Sequence, residues 1–219
     1  SECVDLIYES KWKPFFSGIP RQHWYLFEGK PLIYFYNAGT VENRHNGAKI
    51  FRLLKARFKQ DFGVEPYLCV DSAFMKPGVK EVADQSFVWF SLGKAHADFT
   101  KSARGKTLSH AMVRWDSTSR SNKQIEREGN AQDRLYKNAD LLKVFLDDTQ
   151  NDDLAVIATW NDLGEGTGIN RCYDYYWDGK FHSPTVFMDM VRASQAGETL
   201  LTATERDKLQ TTEQKPPTH

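Results

Sequence analysis

Short apolar runs alternate with amphipathic stretches along the chain, which predicts parallel strands joined by helices. The first run, residues 31–37 (PLIYFYN), is entered through the turn signal Glu28-Gly29-Lys30. Residues 47–62 then put Ile50, Leu53, Leu54, Phe58 and Phe62 on one stripe with Arg57 at its margin, which predicts a helix. Gly63 follows where a helix C-cap is expected. Further strands are expected at residues 66–73 (PYLCVDSA), 86–92 (SFVWFSL), 109–116 (SHAMVRWD) and 154–162 (LAVIATWND). A long helix is expected over residues 132–147, with Leu135, Ala139, Leu142, Phe145 and Leu146 inward. A last helix starts at Ser183-Pro184, with Ser183 as N-cap, and turns Val186, Phe187, Met190 and Val191 inward. Residues 1–20 read as a helix or a helix and loop. After Ala196 the chain becomes polar, so residues 1–196 are expected to fold as one domain and 197–219 to form a tail or linker.

Each apolar run finishes on polar or functional residues: Asn37, Asp71, Trp89 with Ser91, Asp116, and Asn161-Asp162. Parallel sheets build ligand sites at the carboxyl ends of their strands. One polar strand end is simply a cap; five together point to a site. A closed parallel barrel has eight strands, and five runs are present here. The expectation is therefore a (β/α)8 TIM-type barrel that lacks its N-terminal strands, with a missing N-terminal segment or a companion chain completing it. Two uncovered parallel edges are otherwise hard to sustain.

Composition narrows the partners. The 29 basic and 29 acidic residues cancel and no basic run stands out, which argues against nucleic acid. A neutral ligand suits that balance better than a polyanion. No apolar stretch is long enough to span a bilayer. The chain opens with Ser1 rather than Met, so a lost leader and a secreted or extracytoplasmic location are expected. Six Trp, nine Tyr and fourteen Phe supply aromatic faces, several beside Asn, Asp or Arg, a combination that suits sugar rings. Cys3, Cys69 and Cys172 are too few for a disulfide framework; Cys69 reads as buried, and Cys3 and Cys172 are free to pair with each other or elsewhere. No metal-ligand spacing and no phosphate-binding loop is present, so no cofactor is expected. Asn151-Asp152-Asp153 reads as a turn.

The chemistry concentrates in residues 159–170 (TWNDLGEGTGIN), directly after the last apolar run. Asp162 and Glu165 stand three apart in a loop loosened by Gly164, Gly166 and Gly168. Glycosidic cleavage needs two carboxyl groups, one to protonate the leaving oxygen and one acting on the other side. Trp160 offers a stacking face and Asn161 an amide. An acid pair at this spacing is common in any charged chain; the preceding strand and the flanking Trp-Asn and Glu-Gly-Thr give it weight. Arg114 and Asp116 alternate around Trp115 and share one strand face, as a ligand-binding pair or a structural one. Asn37, Asp71 and Trp89 complete the candidate substrate-binding set. His110 lacks a telling partner and reads as a core or rim histidine. Tyr173, Tyr175, Tyr176 and Trp177 read as a sugar platform or an apolar lid.

The string WNDLGEGT resembles the WNExxEGT signature of the glycoside hydrolase family 99-like enzymes, which include endo-acting α-mannosidases, and of related uncharacterised barrel proteins. Gly29-Lys30-Pro31 followed by LIYFY, the stretch 110–116 followed by Arg120, and residues 181–195 with Pro184 and Val191-Arg192 resemble other parts of the same group. The likeness extends over residues 19–195, and WNDLGEGT is its specific part. It implies that the five runs are the fourth to eighth strands of the barrel. It also implies retaining hydrolysis of an α-linked oligosaccharide or polysaccharide, with Glu165 as general acid/base. Asp162 matches the acid that assists attack by the sugar's own 2-hydroxyl. Asp stands there in place of the usual Glu and is one methylene shorter, which leaves the stereochemical outcome open. The alternatives are a non-catalytic carbohydrate-binding barrel protein and a polysaccharide-assembly protein.

Overall fold

The computed structural model describes residues 2–36, 46–72, 77–89, 108–113, 140–162, 167–173, 175–177 and 180–200. They divide into two compact units, the first carrying the described residues up to Trp89 and the second those from Leu108 onward.

The first unit begins with a helix interrupted by one wide turn. α1 (Glu2–Ile7) runs into a π turn at Tyr8–Trp12 and continues as α2 (Lys13–Gly18). Val4, Tyr8, Trp12 and Phe16 are all buried, and they recur at every fourth residue. An α-helix turns once per about 3.6 residues, so this spacing drifts around an unbroken helix. The π turn unwinds the backbone and keeps the four side chains on one face. It also lies where Pro14, which lacks an N–H and crowds the preceding turn, is easiest to accommodate. The Lys13 N–H bonds back to the Tyr8 carbonyl across the wide turn.

β1 (Leu26–Phe27) and β2 (Lys30–Phe35) form an antiparallel hairpin closed by Glu28 at φ 53° and Gly29 at φ 77°. Two positive φ angles in a two-residue loop match the twist of the flanking strands. α3 (Gly47–Phe62) has the predicted bounds, and Gly63 caps it in the left-handed conformation with its N–H on the Lys59 carbonyl. β3 (Tyr67–Asp71), α4 (Pro77–Val82) and β4 (Gln85–Phe87) follow. The sheet order is β1-β2-β3-β4, with β2, β3 and β4 parallel. One sheet face packs Ile33, Phe35, Leu68 and Val70 against Ile50, Phe51, Leu54 and Phe58 of α3 and the buried face of the N-terminal helix. Phe58 stands at the centre, with ring centroids of Phe16 at 4.8 Å and Phe62 at 4.6 Å. Leu53, expected on the inward stripe, is instead 38% exposed, and Phe51 is buried in its place.

The second unit is built on the parallel pair β5 (Leu108–Met112) and β6 (Leu154–Ala158). α5 (Asp140–Asp148) and α6 (Val186–Gln195) cover it through Leu142, Phe145, Val186, Phe187 and Met190, which pack on Ala111 and Val113. A two-stranded antiparallel hairpin, β7 (Tyr176–Trp177) with β8 (Lys180–Phe181), leads towards α6. The last helix begins at Val186 rather than Ser183; Ser183 accepts the Thr185 N–H in the turn before it. The Asn151-Asp152-Asp153 stretch lies in the expected turn, where the Asp152 N–H meets the Thr149 carbonyl at 3.0 Å and the Ser109 hydroxyl bonds the Asp152 carboxylate. Leu200 is buried in this core, beyond the point where the polar tail was expected to start.

The expected eightfold barrel is not what the chain forms. The described strands fall into a four-stranded sheet and two separate two-stranded ones, with no continuous alternating run that represents strands four to eight. The edge of β2 that a preceding parallel strand would occupy is taken by β1, turned back antiparallel through Glu28-Gly29. β4 is also shorter than its apolar run, pairing with β3 over three residues. Alternating apolar runs encode parallel pairing of neighbours; they do not encode closure.

Candidate functional site

The loop that leaves β6 carries the largest share of the predicted chemistry. The Ala158–Thr159 peptide at its start is cis. The Thr159 N–H bonds the Thr167 carbonyl at 3.3 Å, and the two threonine hydroxyls stand 2.8 Å apart. The Asp162 carbonyl accepts the N–H groups of Thr167 and Gly168, each at 3.1 Å, and the Trp160 carbonyl accepts those of Ile169 and Asn170, each at 3.0 Å. The Asp162 N–H donates to the Thr159 hydroxyl at 3.2 Å. Residues 162 and 167 are thus held together. Thr167 is fully buried and Ile169 nearly so, which anchors the returning limb in the unit's core. Tyr175 is buried too, and its hydroxyl donates to the Asn170 carbonyl.

This main-chain lattice leaves some side chains outward. Trp160 is 57% exposed and Asn161 is exposed, while Asp162 is half-buried. Gly168 lies under them: a Cβ there would stand 3.3 Å from the Asn161 Cα, the Asp162 nitrogen and the Asn170 Oδ1. Tyr173 is 66% exposed, with the Arg171 guanidinium 5.2 Å from its ring centroid and bonded to its hydroxyl. The structure therefore splits the expected aromatic platform, leaving Tyr173 outward and placing Tyr175 in the core.

In the first unit, the sheet face away from α3 gathers aromatic and polar groups at the carboxyl ends of β2, β3 and β4. Tyr34 stacks on Phe87 at 4.0 Å, and Tyr36 lies against Trp89 at 3.7 Å. β3 runs between the strands that carry these rings. Its small Cys69 and Asp71 leave room for rings from both neighbours to meet. Asp71 ends β3 and is buried. Burial, followed by the neighbouring Cys69 and Asp71, pushes the Tyr34 hydroxyl above its usual range. Burial and the Asp84 charge do the same to the Cys69 thiol. Both stay protonated at neutral pH, so neither supplies an anionic nucleophile.

Of the predicted site residues, Trp160, Asn161 and Asp162 share the second unit's loop, and Asp71 and Trp89 share the first unit's strand ends. Asn37, Arg114, Trp115, Asp116 and Glu165 lie outside the described residues. His110 is buried on β5, as a core histidine would be. Cys3 and Cys69 are free thiols. Sequence reasoning missed Tyr36, the Thr159–Thr167 clasp and Arg171; an aromatic two residues beyond Tyr34 on the same strand face was the available signal for Tyr36. Among the described residues no cluster of His, Cys, Asp and Glu is grouped to hold a metal ion, and no helix is long and apolar enough to cross a membrane.

A surface groove of about 570 Å³ is lined by Arg52, Lys55 and Lys59 of α3 with Glu65, Glu81 and Val82. Its cations are already engaged: Arg52 with Glu81 at 2.8 Å, Lys55 with Asp84 at 3.0 Å, and Lys59 with Glu65 at 2.9 Å. It contains none of the predicted site residues.

One family description, "Domain of unknown function (DUF5010)", matches residues 1–201, which takes in both units and the whole β6 loop. The chain belongs to the DUF5010 family. No curated protein and no solved structure matches it. The DUF5010 description names no activity.

Proposed function

We propose that the chain acts on a glycan at the loop following β6, as a glycoside hydrolase that uses Glu165 as the general acid and Asp162 as its partner. The observation that carries this reading is Trp160: an indole mostly open to solvent on a backbone whose carbonyl is fixed by two N–H donors. A sugar ring stacks best on an aromatic face that loses little freedom when it binds. Asn161 beside it offers donors and an acceptor for hydroxyls. Asp162 begins the short segment that contains Glu165, and its own backbone is clamped to Thr167. Two carboxyl groups three residues apart in the sequence suit protonation of a leaving oxygen and action on the opposite side. The resemblance of WNDLGEGT to the family 99-like signature points to an α-linked substrate.

A second reading, glycan binding without cleavage, is favoured by Asp162 itself, whose carboxylate reaches less far than the Glu of that signature. Hydrolysis of a panel of α- and β-linked glycans by the wild type and Glu165→Gln decides between them. Turnover of an α-glycan that disappears in the variant, with binding retained, supports the enzyme. Binding without turnover in either protein overturns catalysis and leaves the binding reading.

A further inference from the structure

We infer that Arg171 recognises an acidic substituent on the glycan, so that the site selects a saccharide carrying a carboxylate or sulfate beside the ring stacked on Trp160. This rests on the glycan reading above and specifies its substrate class. Asn170 is joined to Trp160 through its N–H at 3.0 Å, and Arg171 is the next residue, so its backbone starts at the foot of the exposed indole. The guanidinium is held rather than swinging free: it lies 5.2 Å from the centre of the Tyr173 ring and donates one N–H to the Tyr173 hydroxyl. That single bond leaves most of the donor fork unused. Among the described residues of this unit, Lys143 is paired with Asp147 and Arg192 with Asp189, whereas Arg171 has no carboxylate partner. A planar fork already oriented by stacking suits two-point bonding to a carboxylate or sulfate. Tyr173 is itself 66% exposed, so the fork it holds is open to solvent.

The zero net charge of the chain fits the same picture. With no broad positive field, a densely charged polyanion gains nothing from steering, and one placed guanidinium favours isolated acidic groups on an otherwise neutral glycan.

The test uses the full chain and calorimetric binding at low salt. The probes are uronic-acid oligosaccharides, their carboxyl-reduced counterparts, and sulfated forms of the reduced compounds. Wild type is expected to bind an acidic form roughly ten- to a hundredfold more tightly than its reduced counterpart. Arg171→Ala should erase that preference while leaving affinity for the reduced sugar unchanged, and Arg171→Lys should restore only part of it. Trp160→Ala should weaken both forms. Whether the carboxylate or the sulfate compound is preferred identifies the acidic group. Equal affinity for acidic and reduced sugars, or a preference that survives Arg171→Ala, overturns the assignment and leaves the glycan reading intact. Failure of every probe to bind overturns both. Arg171 is exposed, so circular dichroism of its variants should match the wild type.

Discussion

The hydroxyls of Thr159 and Thr167 meet at 2.8 Å across the neck of the loop that carries Trp160, Asn161 and Asp162. Thr167 is fully enclosed, so this contact joins an outward loop to the core of its unit. A second bond branches from it, because the Thr159 hydroxyl also accepts the Asp162 N–H. The position of Asp162 therefore depends on a threonine three residues earlier.

The double substitution Thr159→Val with Thr167→Val tests that dependence. Removing both hydroxyls leaves no orphaned side-chain partner at the neck but strips the Asp162 N–H of its acceptor. The expected cost is about 1–2 kcal/mol of stability in urea unfolding, with turnover of an identified glycan falling at least tenfold. Thr167→Val alone should cost more per hydroxyl, since it leaves the Thr159 oxygen half satisfied. Turnover unchanged in the double variant would show that the clasp does not position the loop.

Gly168→Ala probes the same loop from beneath. A Cβ would press at 3.3 Å on backbone atoms of Asn161 and Asp162 and on the Asn170 Oδ1. Among the described residues the enclosed Asn170 oxygen meets no hydrogen-bond donor that would hold it against the push. The backbone atoms yield less readily than a side-chain end. The variant should lose about 1–3 kcal/mol, and because the push falls on Asp162, kcat should fall by more than KM rises. Wild-type kinetics would mean that the loop absorbs the methyl group without moving Asp162.

Parts of this molecule are legible in the sequence, and for identifiable reasons. α3 shows its bounds because one amphipathic stripe ends on a left-handed Gly63. β3 and β6 are read from short apolar runs, and Trp160, Asn161 and Asp162 are found as a loop after one of them. The π turn at Tyr8–Trp12 is harder to see, since a four-residue repeat looks like an ordinary helix until its drift is counted. β1 escapes because two residues, Leu26 and Phe27, are too few to show a period. The barrel expectation failed at the outer edge of β2, where the turn at Glu28-Gly29 was legible but the two-residue strand that it folds back was not. The lattice that fixes the β6 loop is equally silent, because the Trp160 and Asp162 carbonyls that organise it belong to the main chain.

Phe58→Ala tests whether the N-terminal helix depends on the aromatic core. Phe58 is fully buried and meets the rings of Trp12, Phe16, Trp24 and Phe62. Its truncation should cost about 3–5 kcal/mol, because four rigid rings cannot collapse together into the void. Tryptophan fluorescence should report the loss, as Trp12 and Trp24 both line the cavity. A cost below about 1 kcal/mol would mean that the helix repacks around the π turn.

The acid limb of stability is set in part by Asp61. Its carboxylate accepts the Tyr8 hydroxyl at 3.0 Å and faces the Lys13 ammonium at 3.1 Å. Lys13, and then Tyr8, hold the Asp61 carboxyl below its ordinary value of 3.8. A carboxyl depressed in the folded state stabilises the protein above its unfolded value, and that contribution is lost as pH falls through the folded one. The loss therefore belongs to the window from about pH 5 down to pH 2. Asp5, lowered by Arg57, and Glu65, lowered by Lys59, act in the same direction. Lys13 has the opposite sign: Asp61 raises it above 10.5, so its share is present at neutral pH and lost as pH climbs past that value. Asp61→Asn should thus flatten both limbs, lowering the urea midpoint at pH 7 while leaving it nearly unchanged at pH 2. The comparison needs only urea midpoints for the two proteins across that range. Parallel curves, offset by the same amount at every pH, would show that Asp61 acts by packing and not through its charge.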